Sequence, residues 1–129
     1  MRFIISAVLL IVGIIHLLPL SGALSLKRLQ MLYGIAIVEP SLEILMRHRA
    51  VLFGLLGAFL VAAAFFPSLQ LTALAAGFVS VASFLYLSKA VGSFNKHVNR
   101  VVIADKAALV CLVIGVIAYA MDRLNADEI

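Results

Sequence analysis

The sequence predicts an all-α fold: a bundle of four membrane-spanning helices, with a short interfacial helix between the first and second spans. Three observations lead there. The 129 residues are 65% hydrophobic and 12% charged, with a mean hydropathy of +1.21, far more apolar surface than a soluble domain of this size can bury. Apolar stretches of spanning length recur four times, each closed by proline, glycine or charge. Finally, the basic residues fall on one side of the topology that those stretches define.

The first span covers residues 3–20, about 27 Å at 1.5 Å per residue, and ends at Pro19, Ser21 and Gly22. Arg2 followed by an apolar run is also how a signal peptide begins. The run continues to Leu20 with no small-x-small cleavage pattern before Pro19, so it reads as a mature helix. No lipidation motif marks either end. In residues 23–38, leucines and Met31 alternate with Lys27, Arg28 and Gln30, which predicts a short helix lying at the interface with Tyr33 in the aromatic belt. Gly34 and the Glu39-Pro40-Ser41 turn close it, and Ser41 is the expected N-cap of the second span.

That second span runs over 42–66 and stops at Pro67. The third, over 69–88, follows after a tight turn and is rich in Ala, Ser and Gly. Residues 89–99 read as a polar connection, 100–121 as the fourth span, and the final eight as a solvated tail. Neither repeat nor low-complexity segment interrupts the chain, so residues 1–129 read as one integral membrane domain.

With four spans, both termini and the 67–69 turn share a side, which carries only Arg2 and Arg123. The other side holds Lys27, Arg28, Arg47, Arg49, Lys89, Lys96, Arg100 and Lys106. The positive-inside rule puts both long connections in the cytoplasm and both termini in the periplasm of a bacterial inner membrane. A formal charge of +4 would suggest nucleic acid in a soluble protein. Topology explains it here, and no nucleic-acid partner is expected.

The polar residues inside the spans are the candidates for function. His16 lies about 6 Å from the cytoplasmic end of its span, Arg47 and His48 six or seven residues past Ser41, Ser83 about five residues from the end of span three, and Asp105 about five into span four. All four helices thus offer a polar group at nearly one height. An aspartate at mid-membrane costs roughly 2.5–3.5 kcal/mol, less towards the interface, and either pairing with Arg47 or protonation would offset that. The structural alternative is an Asp105–Arg47 or Glu43–Arg47 pair that only fixes helix register.

On a helical wheel with Glu43 at zero, Arg47 falls at about 40°, Ala50 near −20°, Gly54 near 20° and Gly57 near −40°. His48 and Arg49 fall to the flanks, at roughly 140° and 240°. The stripe predicts Arg47 as the inward arginine and its helix as the wall of a polar pocket. Gly54, Gly57 and Ala58, with Ala76, Ser80 and Ser83 on span three, also suit a packing seam or a dimer face. His97 reads as a solvated loop residue.

Some chemistries are excluded. Cys111 is the sole cysteine, deep in an apolar run, which rules out an intrachain disulfide, C-x-x-C redox chemistry and a cysteine metal site. There is no H-x-x-x-H or E-x-x-H pair, no GxGxxG, no GxSxG and no HExxH. Haem ligation would need two facing histidines, and only His16 and His48 match in depth. Neither a metal nor a cofactor is expected.

The G-I-I-H-L start at Gly13–Leu17, the R-A-V-L-F-G-L-L-G run at Arg49–Gly57 and an aspartate near the start of span four resemble the DoxX-like group of small bacterial four-helix membrane proteins. The likeness covers most of the chain and lies in hydropathy and glycine placement. It implies a bacterial four-span protein, and some members of the group are associated with quinone-linked oxidoreductase complexes.

The leading expectation is a binding module for a small lipid- or quinone-like amphiphile, anionic or carbonyl-bearing, with its head at His16, Glu43, Arg47, His48, Ser83 and Asp105. An intramembrane enzyme would draw its acid/base from Asp105, Glu43 or His16. A third reading is an accessory subunit of a membrane complex, and membrane lipids and a homo-oligomer are the other partners foreseen.

Overall fold

The computed structural model describes all residues 1–129 and contains helices and no strand. Five α-helices follow in order: α1 (Arg2–Leu17), α2 (Leu26–Tyr33), α3 (Pro40–Ala63), α4 (Gln70–Val91) and α5 (Lys96–Asp127). Four segments, Arg2–Ala23, Pro40–Ala63, Pro67–Val91 and Lys96–Asp127, are long and apolar enough to cross a membrane. The chain is built as a multi-pass membrane protein.

The ends of these elements follow local chemistry. Pro19 has no N–H to give Ile15, so the first span leaves α geometry after Leu17 and tightens into a 3₁₀ segment, Leu18–Ala23. The helix α3 begins two residues earlier than Ser41 would have it. Pro40 takes the first helical position, and Glu39, in extended conformation, caps the helix by accepting the N–H of Leu42 at 2.9 Å. The Ser41 and Leu42 N–H groups hold the Glu39 carboxyl below its ordinary value of 4.5. Its cap is therefore at full strength above that value and is lost as pH falls through the lower folded one.

The expected polar connection at 89–99 shrinks to four residues. Gly92, at φ 86°, ends α4, and the Asn95 side chain caps α5 by accepting the Val98 N–H at 2.8 Å. At 32 residues α5 is about 48 Å long, so it outruns a bilayer core. The residues read as a tail continue it to Asp127.

Around the bundle the order is α3, α1, α5, α4. The core lies among Leu9 and Val12 of α1, Leu60 of α3, Leu74 and Val81 of α4, and Leu112 of α5. One diagonal, α1 to α4, is in contact; the other, α3 to α5, is not. At the end of the bundle where α3 and α5 begin, α2 folds over the gap between them. Leu29, Tyr33 and Ile37 are buried there against Met46, Val98 and Val101. The short helix is therefore a packed roof, with Lys27 and Arg28 on its outer face.

Asn95 Nδ2 donates to the carbonyls of Tyr33 and Gly34 at 2.8 and 3.2 Å, fastening the roof to α5. Gly34 has φ 62°, and a Cβ there would lie 2.5 Å from Nδ1 of His97. Gly34→Ala combines a left-handed backbone with that clash. It should cost about 1–2 kcal/mol in detergent unfolding and loosen α2; an unchanged midpoint would contradict the clamp.

Candidate functional site

Between α1, α2, α3 and α5, where the open diagonal meets the roof, lies a cavity of about 300 Å³. Its floor is polar and buried: His16 is 2% exposed and Asp105 8%. Its rim is open and of two kinds. Arg100 of α5 stands exposed on one side, and Leu18 and Met31, 66% and 67% exposed, stand on the apolar side.

His16 reaches the floor because α1 crosses α3 closely enough for Gly13 to lie against the backbone of Gly57 and Val61. Both imidazole nitrogens are engaged. Nδ1 lies 2.9 Å from the Val12 carbonyl and Nε2 3.1 Å from Ser80 Oγ, while the ring packs on Phe53 at 5.7 Å. The carbonyl can only accept, so Nδ1 carries the proton and Nε2 accepts from Ser80. Interhelical hydrogen bonds of this kind average about 0.6 kcal/mol and reach about 1.7. Ser80→Ala should lower stability within that range in chemical unfolding; no change would mean that Ser80 does not hold the ring.

Asp105 makes no hydrogen bond and no ion pair with the chain, yet none of its oxygens is a buried atom without a partner. Its residual exposure is therefore at the carboxylate, facing the cavity. Arg49 of α3 lines the same cavity. The Arg49 guanidinium donates to Tyr33 Oη at 2.8 Å and lies 4.5 Å from the Phe53 ring centre, 5.4 Å from Tyr33 and 5.9 Å from Phe84. Aromatic faces on several sides hold a cation in place without neutralising it. One of its five N–H groups is spent on Tyr33, and the others remain for a ligand.

The structure brings two of the six expected site residues, His16 and Asp105, into this cavity and places the other four elsewhere. Arg47 donates from Nε to the Ala23 carbonyl at 3.0 Å and from Nη1 to Glu43 at 3.2 Å. It ties α3 to the 3₁₀ segment and forms the register-fixing pair, not a pair with Asp105. The physical reason is the stripe itself: Ala50, Gly54 and Gly57 let α1 and the 3₁₀ segment approach so closely that no room remains on that face. His48 is exposed, and Ser83 is exposed and donates to the Ser80 carbonyl at 3.0 Å.

Arg49, Tyr33, His97 and Arg100 also line the cavity. A signal for His97 was present: Asn95 is a good N-cap, and a helix from residue 96 puts His97, Arg100, Ala104 and Asp105 on one face. Compared with protein-family models, with curated proteins and with solved structures, the chain matches none.

Proposed function

We propose that this chain is an integral protein of a bacterial inner membrane that binds one small amphiphile, anionic or carbonyl-bearing, in the cavity between α1, α2, α3 and α5. The observation that carries the proposal is the composition of that cavity. A caged guanidinium and an unpaired carboxylate sit beneath a mouth that is basic on one side and apolar on the other. The head of the ligand meets Arg49 and Asp105 above His16, and its chain leaves past Leu18 and Met31 into lipid. Eight of the ten Lys and Arg side chains belong to this half of the topology, which favours a cytoplasmic mouth and periplasmic termini. The likeness to DoxX-like proteins agrees with a four-span bacterial protein and adds nothing about the ligand.

Native mass spectrometry of the full chain released from maltoside micelles tests this. Wild type should retain one anionic amphiphile per chain, and Arg49→Ala should lose it. Adducts identical in number and mass in both proteins would count against the site. An intramembrane enzyme would use the same Asp105 and His16. It is separated from a binding protein by a mass change in the retained molecule over time that stops in Asp105→Asn while binding persists.

A further inference from the structure

The cavity is stratified, and the stratification names a head group. On α5, His97, Arg100 and Asp105 line it at successive depths, and Asp105 lies about 7.5 Å farther along the helix axis than Arg100. The outer layer holds donors and positive charge. The inner layer holds one open acceptor, the Asp105 carboxylate, because both His16 nitrogens are already used by Val12 and Ser80. Arg49 faces the same space from α3, so a fitting head must present an anion to Arg49 and Arg100 and a hydrogen-bond donor to Asp105. The apolar rim at Leu18 and Met31 takes a chain. A volume of 300 Å³ is about ten water molecules' share of liquid, which suits a compact head and the start of one chain.

Taking the amphiphile-binding reading as its basis, we propose that the ligand is a single-chain phosphate monoester with a free hydroxyl beside the head, a lysophosphatidate-type lipid. Its phosphate meets Arg49 and Arg100 and its hydroxyl donates to Asp105. Diacyl phosphatidate has the same phosphate but no free hydroxyl, so it leaves Asp105 without a donor. Lysophosphatidylcholine keeps the hydroxyl but carries a quaternary ammonium into the basic layer. Glycerol 3-phosphate has the head without the chain.

Equilibrium displacement of radiolabelled 1-oleoyl lysophosphatidate from the full chain in maltoside micelles tests the assignment. Unlabelled lysophosphatidate should compete best. Diacyl phosphatidate and lysophosphatidylcholine should be weaker by about tenfold or more, the scale of one hydrogen bond to a charged group, and glycerol 3-phosphate should not compete at millimolar concentration. In Asp105→Ala the preference for lysophosphatidate over phosphatidate should vanish, whereas Asp105→Asn, which keeps an acceptor, should retain most of it. Equal competition by the two lipids in wild type, or a preference that survives in Asp105→Ala, overturns the hydroxyl assignment. If both lipids then still depend on Arg49, the amphiphile site stands without it. If no lipid binds, or Arg49→Ala binds as wild type does, both readings fall. Competition by glycerol 3-phosphate as strong as by the lipid would make this a site for a soluble phosphate and overturn the proposal.

Discussion

Gly57→Leu is expected to disrupt the bundle, and Gly57→Ala to destabilise it by about 1–3 kcal/mol, the cost of overpacking a tight contact. A Cβ at this position would lie 2.8 Å from the Gly13 carbonyl oxygen and 3.0 Å from the Leu17 nitrogen. Those are backbone atoms of α1, which no rotamer change can move, so the two helices must separate. Gly77→Ala is the control. Its Cβ meets only side-chain tips, Leu112 at 3.3 Å and Leu60 at 3.5 Å, and alanine gains about 1 kcal/mol of helix propensity. That variant should be neutral within about 1 kcal/mol, and detergent unfolding of the three variants reads the difference. Parting α1 from α3 also withdraws His16 from the cavity floor, so ligand retention should fall with stability in the Gly57 series alone.

The second large effect is expected from Arg49→Ala. Removing one partner of a buried, hydrogen-bonded charge interaction costs about 2–5 kcal/mol, which is a loss of roughly thirtyfold or more in affinity for an anionic amphiphile. Arg49→Lys keeps the charge but not the planar fork that stacks on Phe53 and reaches Tyr33, so it should recover only part of the loss. Arg47→Ala removes a cation two residues away that is bonded to Ala23 and Glu43. Its affinity should stay within about threefold of wild type, the scale of weak surface electrostatics. Titration of the four proteins with a radiolabelled anionic lipid measures this, and equal losses at Arg47 and Arg49 would contradict the geometry.

Much of the fold was legible because hydropathy fixes which segments can span a membrane, and Pro19, Pro67 and Gly92 punctuate them. The depth of His16 and Asp105 was legible for a related reason: residues of helix from a span's end convert directly into ångströms. The azimuth of Arg47 was legible as well, but its meaning was not. A helical wheel says which residues share a face and leaves open which neighbour covers it. The small-residue stripe was equally a sign of a pocket wall and of a close packing seam, and the seam prevailed because α1 lies against α3. Arg49, on the flank, faces the diagonal that α3 and α5 leave open. That opening depends on the order of helices around the bundle, which composition and periodicity do not encode. Tyr33 was placed in an interfacial belt for the same reason; only the fold shows Asn95 drawing the end of α2 onto α5 and its hydroxyl onto Arg49.

Everything functional here depends on a water-accessible cavity at the α2 end of the bundle, floored by His16 and Asp105. Single cysteines on a Cys111→Ala background measure this directly. Ala104 lines the cavity, while Ile103, its neighbour on α5, is exposed on the outer surface of the helix. In membrane vesicles, Ala104→Cys should react with a charged, membrane-impermeant thiol reagent applied to the face on which α2 lies, and Ile103→Cys should react only with a lipophilic one. Equal behaviour of the two positions towards both reagents would mean that no such cavity exists.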